Sequence, residues 1–484
     1  MTTPRLSSSL LSAIQTNDSL TANGCATNST SGSYLVDLFF QISAMRNRDD
    51  QDIITVFSRA FSEDPLCAMK ILFWSRDIRK GQGERRIFKT IIKNLSKSSQ
   101  RVVRANVHNI PVFGRWDDLF CLFGTPLEND ALDFISRTLS SPENSNAAKL
   151  CAKWMPREKS AKKVLAKKIR GHMKLSAKAY RKLLSGLTSV VETGMCNNDW
   201  DSIDYEAVPS VAMLRYKNAF NKHSPGAWAE FVSDLESGKA KINAGVLHPH
   251  QIAFEARRGN DCGVLDAQWN SLPNYLMNNP NRMLPVVDTS GSMYGVEGAG
   301  FAPIDVSVAL GLYIAERNNG PFKDFFITFS ETPSLVKVSG SSLEEKLRMI
   351  EKSDWGYSTN LEATFDLVLN NALQHDIAEE DMPNVVLVIS DMEFDQVSSG
   401  DNYSAIDLIR NKYDQAGYVL PKIVFWNVNA RPNNVPVKFD DYGTAMISGF
   451  SPSIMKDVLS ESEISPYRIM KNIVDSPRYS CVVL

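Results

Sequence analysis

A carboxylate and two hydroxyls at alternate positions, in Asp288-Thr289-Ser290-Gly291-Ser292, are the residues whose spacing points most directly to chemistry. Oxygen donors of this kind are hard ligands; they suit Mg²⁺ in octahedral geometry, or another divalent cation such as Mn²⁺ or Ca²⁺, and not a soft metal. The run follows Met283-Leu284-Pro285-Val286-Val287, a short apolar segment of strand character, so its side chains emerge at a strand's carboxyl end. A plainer reading also exists, because Asp-Thr-Ser-Gly-Ser would serve equally as a Gly-containing turn. A second apolar run, Val385–Ser390, ends in Asp391, with Glu393 and Asp395 just beyond it. Those two acids could support the metal's ligands from behind, or more simply be solvated in a loop. Of the six histidines only His375 lies in this half, at the end of a helical pattern. With no nucleophile–base pairing around the site, hydrolysis has no support and the chain is not expected to be an enzyme.

Charge offers a second chemistry. Between Lys153 and Lys182 stand twelve Lys or Arg residues against one acid, Glu158. A similar stretch, from Arg76 to Arg104, sets Arg79, Lys80, Arg85 and Arg86 and further cations against only Asp77 and Glu84. Such stretches neutralise phosphates and release counterions, although Lys-faced amphipathic helices on ordinary surfaces look the same in sequence. The candidate nucleic-acid contacts are Arg79, Lys80, Arg85, Arg86, Lys153, Lys162, Lys163, Lys167, Lys168, Arg170, Lys174, Arg181 and Lys182. Trp74, Phe88, Trp154 and Tyr180 lie among them and could stack unpaired bases, but helical spacing favours a core role. The run Arg79–Arg86 is not a phosphate loop, lacking both the Gly-Lys-Ser/Thr ending and a preceding strand.

These residues need elements to position them. A chain of 484 residues is too long for one hydrophobic core, so two domains are expected. Residues 1–30, rich in Ser, Thr and Asn, read as a disordered tail. Residues 31–278 are helical in pattern: Leu35, Leu38, Phe39, Ile42 and Met45 recur at three-to-four spacing, and breakers such as Gly114, Pro156 and Pro209 cut the stretch into short helices. An all-helical, repeat-like domain follows from that pattern. After Asn278-Asn279-Pro280-Asn281, apolar runs at Met283–Val287, Phe325–Phe329, Val385–Ile389 and Ile423–Trp426 alternate with helical spacing at Ile304–Glu316, Leu343–Glu351, Leu361–Leu373 and Ser404–Gln415. Residues 283–484 are therefore expected to form a doubly wound α/β domain, with its ligand site at the carboxyl ends of the strands.

Bulk properties narrow the setting. A formal net charge of -2 gives no global bias toward nucleic acid or membrane, and no apolar run approaches a bilayer span. The seven cysteines are scattered and odd in number, with no CxxC pair, which favours a reducing, cytoplasmic location over a disulfide framework or zinc site. Cys481-Val482-Val483-Leu484 spells a prenylation box, but without a dense polybasic segment upstream coincidence is the better reading.

The strand followed by Asp288, Ser290 and Ser292 resembles the von Willebrand A, or integrin I-domain, family, whose metal-ion-dependent adhesion site has the pattern DxSxS. The resemblance extends to Thr359, in Gly356-Tyr357-Ser358-Thr359-Asn360, and to Asp391. It implies that Ser290, Ser292 and Thr359 touch the metal, that Asp288 and Asp391 hold its waters, and that an acidic residue of a partner fills the remaining position. The helical half adds Arg76-Asp77-Ile78-Arg79-Lys80-Gly81-Gln82-Gly83-Glu84-Arg85-Arg86, then Gly114-Arg115-Trp116-Asp117-Asp118-Leu119, Lys153-Trp154-Met155-Pro156 and Tyr180-Arg181-Lys182-Leu183-Leu184. With these the chain resembles the domain-of-unknown-function family twenty-eight twenty-eight over nearly its whole length. The order of parts is similar to the TROVE proteins of the Ro autoantigen type, which implies a helical ring that binds structured or single-stranded RNA. The expectation is a non-enzymatic, Ro-like RNA-binding scaffold with an adhesion site for an acidic partner; the alternative is a protein-assembly module without RNA.

Overall fold

The computed structural model of the chain describes residues 17–141, 146–188, 190–259, 262–277, 279–294, 301–329, 331–353, 359–396, 405–459 and 463–484. Residues 1–16 of the expected tail, Asn278 of the expected linker, and Gly356, Tyr357 and Ser358 before Thr359 lie outside them. The chain divides into two compact units, but not at one cut in the sequence. The first takes the described residues of Met1–Asn47, His248–Asn260 and Asn274–Ile473; the second takes those of Arg48–Leu247, Asp261–Pro273 and Val474–Leu484.

The strands, in chain order, are β1 (Ser19–Leu20), β2 (Ala26–Thr27), β3 (Met283–Asp288), β4 (Phe325–Phe329), β5 (Leu335–Lys337), β6 (Val385–Ser390), β7 (Lys422–Asn427) and β8 (Thr444–Ser448). In the first unit six of them form one sheet in the order β5-β4-β3-β6-β7-β8, parallel except for the antiparallel edge strand β5. Every residue of β3 and β6 is buried, as uninterrupted apolar runs must be when helices cover both faces. Helices Pro303–Arg317, Leu343–Glu351, Leu361–Gln374 and Ala405–Ala416 lie where the spacing places them. The first of these crosses close to β3 only because position 311 is glycine; a Cβ there would stand 2.3 Å from Val287 Cγ2. Strand order reverses between β3 and β6, and at that switch point Asp288 ends β3 while Asp391 follows β6.

Three expectations need correction here. Strands β5 and β8 go unseen in the sequence: β5 is three residues long and partly exposed, and β8 is Thr-Ala-Met-Ile-Ser, with small and polar residues diluting its apolar signal. Helices Tyr34–Gln41 and Pro249–Arg257, numbered within the helical half, belong to the sheet unit, the first against β8 and the second against helix Pro303–Arg317. The described part of the expected tail is ordered: β1 pairs with β2, and Cys25, Thr27 and Asn28 are buried. Its Ser, Thr and Asn side chains bond to loop carbonyls, as when Thr21 Oγ1 donates to the Phe394 carbonyl at 2.6 Å and Asn28 Nδ2 to that of Val435 at 3.1 Å. Low apolar content signals disorder only where no hydrogen-bond acceptors are on offer.

The second unit is helical. Helix Asp50–Glu63 packs on Pro65–Arg76 and Arg86–Ser98, Glu128–Leu139 on Asn146–Trp154, and Ser210–His223 on Pro225–Glu236. Each presents an apolar stripe, such as Ile87, Phe88, Ile91, Ile92 and Leu95, and several start at an acid cap: Asp49 accepts from the Asp52 amide, and Asp64 from that of Cys67 just ahead of the Pro65 turn. An aromatic cluster of Tyr205, Phe220, Trp228 and Phe231 anchors its later helices. The C-terminal segment joins this unit through Arg478, bidentate on Asp77, and through Asn106 and Asn109, which donate to the carbonyls of Val483 and Cys481. Among the described residues no helix is long and apolar enough to cross a membrane.

Candidate metal centre and basic surface

The tight turn after β3 folds its own donors together. The Ser290 amide donates to Asp288 Oδ1 at 2.9 Å, and the hydroxyl of Ser390, the last residue of β6, donates to Asp288 Oδ2. Ser290 and Ser292 hydroxyls stand 3.1 Å apart, and Ser292 Oγ donates to Asp391 Oδ1 at 3.2 Å. Arg431 Nη2 approaches Asp391 Oδ2 at 3.3 Å from the far side. Asp288, Ser290, Ser292 and Asp391 thus gather; the first three share one turn, and Asp391 is the residue that the von Willebrand A resemblance adds. Ser390 and Arg431 are additions: Ser390 carried a signal, adjoining Asp391 on a strand end, whereas Arg431 carried none.

Thr359 sits differently. Its amide donates to Asp395 Oδ2 at 2.6 Å, its hydroxyl donates to the Glu393 carbonyl, and Asn23 Nδ2 donates to that hydroxyl at 3.4 Å. It is held beside the residues that follow Asp391, but among the described residues no hydrogen bond ties it to Asp288, Asp391 or the serines. Glu393 and Asp395 are not the solvated acids of the simpler reading. Glu393 is buried and accepts from the Ala22 amide at 2.6 Å and from Asn434 Nδ2 at 3.1 Å; Asp395 bonds to Thr359. The donors come from segments remote in sequence, and local spacing could not reveal them.

Electrostatics at this edge are short of positive charge. Asp288 and Asp391 are both fully buried. Burial, and then the Asp391 carboxylate, push the Asp288 carboxyl up to about 7. Burial raises Asp391 as well, against the pull of Arg431. Two buried carboxylates and two hydroxyls, with one partly exposed guanidinium as counter-charge, form a hard-oxygen set that a divalent cation fits and would neutralise. Among the described residues no three His, Cys, Asp or Glu side chains come together as a metal cage. Hydroxyl donors therefore account for half of the gathered set.

The two basic stretches part company. In the first, Arg76 is buried with Nε and Nη2 on Asp118 Oδ2 at 2.8 and 2.6 Å; Arg85 bridges Asp117 and Asp118; Lys89 stands 3.4 Å from Asp118, and Arg115 holds Asp117 at 3.0 Å. Burial would raise the Asp118 carboxyl, but Arg76, Arg85 and the Arg115 amide hold it down at about 2. Gly114 gives this pair room: a Cβ there would meet Asp118 Oδ2 at 2.5 Å and Arg76 Nε at 2.9 Å. Arg86 pairs with Asp50 at 2.7 Å, the exposed Arg79 donates to the Val112 carbonyl at 3.0 Å, and Lys80 is exposed. Counting charges along one segment missed the acids that other helices bring.

In the second stretch Lys168 pairs with Glu128 and Arg170 with Glu158. Half-buried Lys153 lies 5.9 Å from the Trp154 ring centre, beneath which Arg115 also stacks, and Lys162 lies 5.9 Å from that of Phe120. Lys163, Lys167, Lys174, Arg181 and Lys182 are exposed, and among the described residues no carboxylate lies within ion-pair distance of them. Of the aromatics, Trp74, Phe88 and Tyr180 are core; Trp154 is half-buried.

Comparison with known proteins bears on the whole chain. Residues 21–182 and 131–279 match the family described as domain of unknown function DUF2828, and residues 282–475 match domain of unknown function DUF7788. An uncharacterized protein of Acanthamoeba polyphaga mimivirus is 32% identical over 512 residues, spanning 95% of this chain and 87% of that relative. Among solved structures the RO (RSR) protein of Deinococcus radiodurans aligns over 92% of this chain and 100% of its own, at 12% identity and a TM-score of 0.48. A likeness at that level supports no assignment of function.

Proposed function

From the premise that the chain belongs to the DUF2828 family, we propose that it is a non-enzymatic, cytoplasmic scaffold whose sheet unit carries a von Willebrand A type metal-ion-dependent adhesion site for an acidic protein partner. One observation carries the reading: an unbroken run of hydrogen bonds from Ser390 through Asp288, Ser290 and Ser292 to Asp391, at the switch point of a doubly wound sheet. Asp288, Ser290, Ser292 and Asp391, with Thr359 beside them, would hold Mg²⁺ or a related divalent cation. When bound, that ion supplies a positive anchor for a partner's carboxylate. The chain's own contribution is to keep the donors dry, pre-oriented and weakly charged, so that such an anchor keeps its pull on an external anion. Free thiols at Cys25, Cys67, Cys121, Cys151, Cys196 and Cys481 support the reducing location.

Thermal stability tests the site. Mg²⁺ is expected to raise the melting temperature of the full chain and to leave Asp288→Ala unmoved; equal shifts in both proteins would remove the basis for the proposal. A second reading, RNA binding by the helical unit, is favoured by the exposed cations of the Lys163–Lys182 surface that lack acidic partners, and not by the first basic stretch, whose cations are largely spoken for. If that surface binds no RNA, the scaffold reduces to a protein-assembly module.

A further inference from the structure

We propose that residues 18–28 form an intramolecular gate on the metal centre, holding Thr359 out of the donor set until the segment is displaced; this rests on the adhesion-site reading above. An adhesion site must offer its last coordination position to another molecule. Here Asp288, Asp391 and Thr359 are 0% exposed and Ser290 is 2% exposed. Of the five proposed metal-holding residues only Ser292 is partly exposed, so four of them are closed to an incoming carboxylate.

The segment's contacts fall on the residues that would have to rearrange. Asn23 Nδ2 donates to Thr359 Oγ1 at 3.4 Å and to the Glu393 carbonyl at 2.8 Å; the Ala22 amide donates to Glu393 Oε2 at 2.6 Å; Gly24 bridges Asp395. A metal takes a lone pair from a threonine hydroxyl. Thr359 gives its proton to the Glu393 carbonyl and accepts from Asn23, so one of its two lone pairs is already taken.

The segment is also built like a hinged strap and not a uniform staple. Its flanks are anchored: Thr21, Cys25, Thr27 and Asn28 are buried, and Thr21 and Asn28 bond to the Phe394 and Val435 carbonyls. Its tip, Ala22 and Asn23, is exposed, and the contact with Thr359 is a long one. Lifting the tip breaks three part-buried hydrogen bonds, one from the Ala22 amide and two from Asn23 Nδ2.

The test compares full-length wild type, Asn23→Ala and Thr21→Val by Mn²⁺ titration, with hydrogen exchange of residues 18–28 read in parallel. Both variants are expected to bind Mn²⁺ roughly three- to tenfold more tightly, as loss of one or two modest hydrogen bonds allows. Mn²⁺ is expected to speed exchange at Ala22 and Asn23 in wild type. Should wild type bind Mn²⁺ in an Asp288-dependent way while neither variant changes affinity or exchange, the segment is a structural hairpin and the gate is refuted. No Mn²⁺ binding by any of the three would refute the adhesion site itself and the gate with it. Thr21→Val keeps the test open if Asn23→Ala does not fold.

Discussion

Each unit buries a pair of aspartates, and the two pairs are treated in opposite ways. Asp117 and Asp118, in the helical unit, meet Arg76, Arg85, Lys89 and Arg115. Asp288 and Asp391, in the sheet unit, meet hydroxyls, amides and a single guanidinium. The first carboxyl pair is over-supplied with cations and Asp118 titrates low; the second is under-supplied and Asp288 titrates high. A buried acid with its charge already matched stabilises one geometry and has nothing left to bind, whereas one left short of charge is a place for a cation to arrive. The contrast separates a structural network from a candidate site without appeal to motif.

The largest effect is expected at Asp118. Replacing it with Ala strands Arg76 in the interior and is expected to destabilise the chain by about 3–5 kcal/mol in urea unfolding; a loss under 1 kcal/mol would mean that the network is not structural. Asp288→Asn should do the reverse. Without metal its stability is expected to equal or exceed that of wild type, since a buried charge is gone, while the Mg²⁺ increment of about 2.7 kcal/mol at a hundredfold excess over Kd disappears.

Acidity sharpens the contrast, because the two pairs slope in opposite directions. Asp118, low when folded, contributes stability that is complete above its unfolded pKa near 4 and is lost as pH falls through about 2. Asp288, high when folded, keeps between about 4 and 7 a proton that the unfolded chain releases, so stability in EDTA should decline as pH rises through that window. Saturating Mg²⁺ should flatten the second slope and leave the first; thermal melts from pH 2 to 8 decide it. The smallest effect on stability is expected from reversing Lys162, Lys163, Lys167 and Lys168 to Glu, which touches at most one exposed ion pair. Filter binding should nonetheless show RNA affinity falling and its log–log salt slope shrinking by roughly 0.7–0.9 per lost phosphate contact. RNA affinity indifferent to these lysines would retire the RNA reading.

Much of the sheet unit was legible because its signals are local. Central parallel strands are continuous apolar runs, and the metal motif sits within five residues of one strand end, so Asp288, Ser290 and Ser292 could be named from spacing alone. Asp391 was reachable as the residue after the other central strand. What failed was long-range. The acids that neutralise Arg76, Arg85 and Arg86 come from other helices, at Asp117, Asp118 and Asp50, and the strap on Thr359 comes from a segment whose composition resembles disorder. The same distance defeated the domain boundary: the turn at Asn279–Asn281 does precede the sheet, yet helices before it complete that unit and the segment after Ile473 leaves it.

Synthesis from the N-terminus gives this interleaving a cost in time. Helix Tyr34–Gln41, with Leu35, Val36, Leu38, Phe39 and Phe40 buried in the finished protein, packs on β8, whose first residue is Thr444. At about 5–20 residues per second a ribosome needs roughly 20–80 s to make the chain between them. For that interval the emerging chain carries a greasy helix whose seat does not yet exist, although most of the helical unit, Arg48–Leu247, has already been made. Chaperone occupancy on the nascent chain should therefore be long, and it should end only after β8 has left the exit tunnel.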